Sequence, residues 1–198
     1  MAQTGIFLDR DGTINDEVEF LRTPEQLHLI PRSADAISEL NELGLRVFIL
    51  TNQSGIARGL LTEDDLRGIH TRLLQLLENQ NARIDKIYYC PHHPGGSIES
   101  YRKVCECRKP KPGMFRMAAE EYNLDLPRSY VIGDKMIDIQ AGNNCGARTI
   151  LVLTGYGKTE LEHCRKNSLR IDYIAENLYE AVQFVKRNIN VHISQSSF

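Results

Sequence analysis

Short apolar runs alternate along this chain with stretches in which apolar residues recur every three or four positions. The runs Gly5–Asp9, Arg46–Thr51, Lys86–Cys90, Tyr130–Asp134 and Thr149–Leu153, with a weaker one at Ile171–Ile174, predict strands. Most are continuously apolar, as strands covered on both faces are. Helical spacing lies between them. Ser33 is placed to cap a helix carrying Ala34, Ile37 and Leu40 that ends near Gly44. Thr62, with Asp65 three residues on, is placed to cap one carrying Leu66, Ile69, Leu73 and Leu76. Pro112 is placed to open a helix bearing Phe115, Ala118 and Tyr122, and shorter helices are expected at 136–144 and 177–187. Strand–helix alternation predicts an α/β fold, a parallel sheet with right-handed crossovers. One domain over 1–190 is expected, with 191–198 a fraying tail.

Composition narrows the class. A chain of 198 residues can bury a sizeable core, and its 41% hydrophobic and 25% charged content is ordinary for a soluble protein. A net charge of −2 gives no footprint for nucleic acid. No apolar run is long enough to span a bilayer, and the first residues lack the basic and apolar regions of a signal peptide. The expectation is a cytoplasmic protein, with nothing demanding more than a monomer. Three of the five cysteines fall within residues 90–107, a pattern of metal binding more than of disulfides.

The candidate chemistry sits where strands end, the place at which ligands bind in open α/β sheets. The first strand runs into Asp9-Arg10-Asp11-Gly12-Thr13. Asp9 and Asp11 point the same way if the strand continues, and two close acids repel unless a divalent cation or a shared proton holds them. Mg²⁺ suits carboxylates and phosphates, and an Asp can attack phosphorus, so the pair indicates phosphoryl transfer through an aspartyl-phosphate; the plainer reading is a turn. Thr51, Asn52, Gln53 and Ser54 offer a hydroxyl and backbone N–H groups to phosphate oxygens, or merely a polar turn. Asp134 after Gly133 is a candidate third Mg²⁺ ligand, with Asp138 behind it, or else a helix cap. Lys109 could neutralise charge on a transferring phosphoryl group, and Arg108 could grip a second anion, unless Arg108–Pro112 is a solvated basic turn.

These four elements, in this order, resemble the haloacid-dehalogenase-like phosphohydrolases, over residues 5–157. The resemblance implies a doubly wound three-layer fold. Asp9 is then the nucleophile, Asp11 the acid and base, and Thr51 and Lys109 the holders of the phosphoryl oxygens. Mg²⁺ is implied on Asp9, on Asp11 through its backbone carbonyl, and on Asp134. No large cap domain is expected, because only about twenty residues separate Asp11 from the first helix, too few for a folded unit. Substrate contacts are implied at Arg10, Glu17, Val18, Glu19, Phe20, Asn52, Gln53, Ser54, Arg108 and Lys135; the acidic ones read equally as a solvated loop.

Cys90-Pro91-His92 and Cys105-Glu106-Cys107 flank a loop from His93 to Val104. Three thiolates and an imidazole make a closed tetrahedral Zn²⁺ site, structural because no position stays open for water. Buried thiols beside a solvated His are the alternative, and His93 rivals His92. Cys145 and Cys164 read as ordinary thiols. The Cys-x-His…Cys-x-Cys-Arg-Lys-Pro insert resembles that of the family branch acting on heptose bisphosphates. In the branch acting on histidinol phosphate the loop is usually shorter. The first resemblance favours His92 as ligand and implies a phosphorylated sugar as partner. The reaction it implies is removal of the 7-phosphate of heptose 1,7-bisphosphate, a step toward lipopolysaccharide heptose.

Overall fold

The computed structural model describes residues 2–195. Its centre is a six-stranded parallel sheet of β1 (Gly5–Leu8), β2 (Arg46–Asn52), β3 (Lys86–Cys90), β4 (Tyr130–Gly133), β5 (Arg148–Val152) and β6 (Tyr173–Ala175). The order is β3-β2-β1-β4-β5-β6. The chain therefore winds outward from β1 on one side and resumes beside β1 with β4, which makes the β1/β4 boundary the topological switch point. Leu8 of β1 pairs with both Ile49 of β2 and Ile132 of β4, so the three strands end together.

Side-chain alternation builds the layers. Ile6, Leu8, Val47, Ile49, Ile132 and Ile150 pack with α1 (Ser33–Glu42), α3 (Glu63–Glu78) and α7 (Leu178–Gln195). Phe7, Phe48, Leu50 and Val131 form a second core with α4 (Gly113–Tyr122) and with Ala141 of α5 (Met136–Cys145). There Phe7 stacks on Phe48 at 5.6 Å and meets Phe115 edge-on at 5.2 Å. Leu151 packs with Ile139 and with Cys164 of α6 (Gly157–Lys166). The three-layer α/β expectation holds, and the segment between β1 and α1 contains no inserted folded unit.

Several local expectations change. Ser33 does not cap α1. It is the first helical residue, its hydroxyl donates to Ile14 O at 2.9 Å, and Arg32 takes the cap position in left-handed conformation. Thr62 does cap α3, in a reciprocal box with Asp65. Two helices escaped the pattern, the short α2 (Ser54–Ala57) and α6. Only Gly157 and Cys164 of α6 are buried, and Leu161 and Cys164 are its only strongly apolar residues, so the helix is too polar to stand out in the sequence. The last helix runs to Gln195, into the segment read as a tail, and residues 196–198 lie outside the described residues.

Candidate active site

Asp9 follows β1 and Asp134 follows β4, so both sit at the carboxyl edge of the switch point. The Asp9 N–H donates to Ile132 O at 2.9 Å, which continues the sheet pairing into the site. The turn after Asp9 needs Gly12, whose φ is +80° and whose missing Cβ leaves room for the Asp134 carboxylate. Carboxylate oxygens of Asp9, Asp134 and Asp138 lie within 4.8 Å of one another, all three residues buried. Lys109 Nζ reaches Asp138 at 2.6 Å, Asp9 at 2.8 Å and Leu50 O at 2.6 Å. Burial opposes the Lys109 charge, but Asp138 and Asp9 outweigh it and hold the ammonium above its ordinary range. Burial pushes the Asp138 carboxyl up to about 6 despite Lys109. It pushes Asp134 up to about 8, with Asp9 and Asp138 adding to the rise.

Asp134 is the member left short of partners. Its Oδ2 accepts from the Tyr156 N–H at 2.9 Å, whereas its buried Oδ1 has no hydrogen-bond partner. A carboxylate in that condition beside two others fits a divalent cation bound by oxygens. Asp9 and Asp134 are placed to hold it. The Asp11 side chain is not, which corrects the simplest reading of the Asp-x-Asp pair. Its carboxylate takes Arg10 Nε at 3.0 Å, Arg10 NH2 at 2.7 Å, Asn15 Nδ2 at 3.0 Å and Gln53 Nε2 at 3.1 Å. Burial raises the Asp11 pKa, but Arg10, Asn15 and Gln53 more than offset this and hold it below the usual carboxylate range.

The loop after β2 supplies the opposite side. Thr51 is buried, and its hydroxyl accepts from Gln53 Nε2 at 2.8 Å. The Asn52 amide is engaged reciprocally with the Lys109 backbone, each bond 3.0 Å, so Asn52 braces Lys109. A cavity of about 240 Å³ opens over these groups. Asp9, Asp11, Thr51, Asn52, Gln53, Ser54 and Lys109 line it, and the charged Glu17, Glu19, Arg108 and Lys135, with the apolar Phe20, complete the lining. Lys135 is ion-paired with Glu17.

Two expected substrate contacts fall outside the cavity. Val18 is 40% exposed and does not line it. Arg10 is completely buried and turned into the protein, where it grips Asp11. Leu21, Leu61, Ile137 and Tyr156 line the cavity and were not singled out from the sequence. Leu21, Leu61 and Ile137 are apolar, and an apolar side chain carries no chemical signal in a sequence. Tyr156, whose ring lies 4.9 Å from Lys135 Nζ, reaches the site from beyond β5.

The thiols of Cys90, Cys105 and Cys107 lie 3.2–3.5 Å apart, much farther than a disulfide bond. His92 Nδ1 is 3.4 Å from Cys107 Sγ and 3.8 Å from Cys90 Sγ. This S₃N set could hold a tetrahedral Zn²⁺ with no open position. His93 stands apart, its Nδ1 accepting from the Gly95 N–H at 3.0 Å. Arg108 NH1 donates to His92 O at 3.2 Å, so the cluster and the cavity share a wall.

Comparison with known proteins agrees with this geometry. Residues 106–181 match the HAD-hydrolase-like family model. The D-glycero-beta-D-manno-heptose-1,7-bisphosphate 7-phosphatase of Rhodopseudomonas palustris is 48% identical over 71% of this chain and 78% of its own length. The enzyme of the same name from Escherichia coli K12 is 40% identical over 92% and 93%. The crystal structure of the D,D-heptose 1,7-bisphosphate phosphatase from B. bronchiseptica, complexed with magnesium and phosphate, superposes with a TM-score of 0.84. It is 33% identical and covers 94% of this chain and 99% of that one. By near-full-length similarity at these identities, the chain belongs to the HAD-like phosphatases, in the heptose-1,7-bisphosphate 7-phosphatase family.

Proposed function

We propose that this protein hydrolyses the 7-phosphate of D-glycero-D-manno-heptose 1,7-bisphosphate through an aspartyl-phosphate on Asp9. The observation that carries the reading is the buried Asp9–Lys109–Asp138 cluster with under-partnered Asp134, opening into a cavity rimmed by Arg108 and Lys135. A phosphatase acting on a sugar bisphosphate needs both parts: a nucleophile under a site for one phosphate, and cations for the second phosphate and the hydroxyls. The relatives bear the name of that reaction, and the B. bronchiseptica structure holds magnesium and phosphate.

In this mechanism an Asp9 oxygen attacks phosphorus in line, and the bond to the sugar oxygen breaks as Asp11 delivers a proton to it, which Asp11 must carry into this step against the pull of Arg10, Asn15 and Gln53 toward its ionised form. Asp11 then takes a proton from water, whose oxygen attacks the acyl phosphate and releases phosphate with Asp9 restored. The Thr51 hydroxyl and the Lys109 ammonium hold phosphoryl oxygens. Asp9 and Asp134 would hold Mg²⁺, which when bound offsets the negative charge gathered at the phosphoryl group. Glu17 and Glu19 accept hydrogen bonds from sugar hydroxyls, and Arg108 takes the second phosphate. A Zn²⁺ on Cys90, His92, Cys105 and Cys107 would be structural, fixing the backbone just before Arg108 and Lys109. The enzyme would act as a cytoplasmic monomer in the supply of heptose for lipopolysaccharide; no described helix is long and apolar enough to cross a membrane.

The test is phosphate release by purified protein with Mg²⁺, from both anomers of the heptose bisphosphate and from histidinol phosphate. Release of one phosphate from the bisphosphate, much faster than from histidinol phosphate, is expected. The opposite preference would overturn the substrate assignment.

A further inference from the structure

Arg10 is the largest completely buried side chain among the described residues. Its guanidinium has two occupied edges. Nε and NH2 form a two-pronged grip on the Asp11 carboxylate, at 3.0 and 2.7 Å. On the far side, NH1 lies 3.2 Å from Nε2 of His70. Arginine only donates, so His70 Nε2 must accept, which makes the ring neutral with its proton on Nδ1. Burial, with Arg10 beside it, keeps the ring in that state, since the His70 pKa is pushed down to about 3. The groups facing the ring are Arg10 and Asp11 from the β1 loop, Tyr89 from β3 at 5.9 Å, and Glu63, Arg67 and Thr71 of its own helix around an adjoining cavity.

We propose that His70 is a positioning residue for Asp11, acting through Arg10. This inference rests on the acid and base role given to Asp11 above. A guanidinium is planar and its fork is rigid, so fixing NH1 fixes the plane in which Nε and NH2 present themselves to the carboxylate. His70 is the only described side chain bonded to NH1. Behind it lies a cavity of about 310 Å³ lined by Leu66, Arg67, His70, Leu74 and Tyr89. The ring therefore stands between a buried cation and open space. Without an acceptor there, water from that cavity takes the NH1 hydrogen, and Arg10 is free to lean toward it. Asp11 would follow, and a proton donor that leaves the range of about 2.6–3.2 Å from the leaving oxygen loses rate. His70 is thus joined to the chemistry by two links, neither of them to the substrate. Its helix is set by the Thr62–Asp65 cap and by Leu66, Ile69 and Leu73 packed into the core.

The test compares kcat/KM on two substrates, a sugar phosphate with a poor alcohol leaving group and p-nitrophenyl phosphate, whose leaving group departs without a proton. This parameter covers only the steps through departure of the alcohol, so the later base role of Asp11 does not enter. His70→Leu is expected to lower kcat/KM about tenfold on the sugar phosphate and less than twofold on the aryl phosphate. His70→Phe, which keeps a ring without an acceptor, is expected to behave alike and serves if the leucine variant does not fold. His70→Gln, whose Oε1 can accept from Arg10, is expected to stay within about threefold of the parent on both, because it restores the acceptor. Equal losses on both substrates, no loss on the sugar phosphate, or a Gln variant no better than Phe would overturn the inference. Parent enzyme that releases no phosphate from either substrate would instead overturn the phosphatase reading.

Discussion

Asp9 and Asp11 are two positions apart and live in different electrostatic surroundings. Asp9 faces Lys109 and the buried acids Asp134 and Asp138; Asp11 faces Arg10, Asn15 and Gln53. Partners that differ in this way allow two carboxylates to take two roles. Asp9→Asn should lower phosphate release by on the order of a thousandfold or more, with the thermal melt little changed; retained activity would remove Asp9 as nucleophile. His70 makes a second, separate prediction about stability. Its pKa is about 3 folded and 6.5 in the unfolded chain, so the stability tied to the neutral ring is complete above 6.5 and lost as pH falls below it. At pH 5.5 the loss is about 1.4 kcal/mol. Unfolding free energies of the parent and His70→Gln from urea titrations, taken from pH 7.5 down to 5.5, should shift in favour of the variant by about that amount. The carboxylates were singled out in sequence because Asp-x-Asp-Gly-Thr ends an apolar run and is followed in order by Thr51, Lys109 and Asp134; alone it reads as well as a turn. The burial of Arg10 was not, because an arginine in a polar turn is ordinarily solvated and only the acceptors His70 and Asp11 make its burial tolerable.

At the scale of elements, the stretch from β3 to α4 has only a short 3-10 turn of regular structure, and the Cys/His cluster gathers its two ends. Cys90 ends β3, and Cys105 and Cys107 precede Arg108 and Lys109 directly. Cys107→Ala, or removal of zinc, should reduce activity at least about tenfold, since even a group that merely supports metal ligands costs about that much when mutated. It should also open the bond after Arg108 to trypsin, Lys109 and Lys111 each preceding a proline, while leaving the Mg²⁺ concentration for half-maximal activity near the parent value. A normal tryptic pattern with zinc absent would show that the loop holds itself. The strands and most helices were visible in the sequence because β1, β2, β4 and β5 are largely buried on both faces and α3 keeps an apolar stripe beneath a capping box. Helix α6 was overlooked for the converse reason: it is mostly charged and polar, with Leu161 and Cys164 alone on its apolar side.

At the scale of the whole molecule, the site exists because β4 returns to lie beside β1. Gly12 and Asp134 are far apart in the chain, yet a Cβ on Gly12 would occupy the space of the Asp134 carboxylate. Gly12→Ala combines that overlap with a φ of +80°, so it should raise the Mg²⁺ requirement at least about tenfold and lower the melting temperature by several degrees. Mg²⁺ titrations of activity check the first and calorimetry the second; an unchanged Mg²⁺ requirement would mean that Asp134 is not a ligand. The sequence by itself determined the strand and helix alternation, the candidate carboxylates and lysine, and the Cys/His cluster, because each is a local pattern of residue types at short spacing. Only the tertiary structure decided which donors converge. It turned the Asp11 carboxylate toward Arg10, set Lys109 between Asp9 and Asp138, and chose His92 over His93. It also brought Tyr156 and His70 to the two sides of the site. Those choices depend on distances across the sheet and on which buried charges find partners, and neither is written in the spacing of residues along one chain.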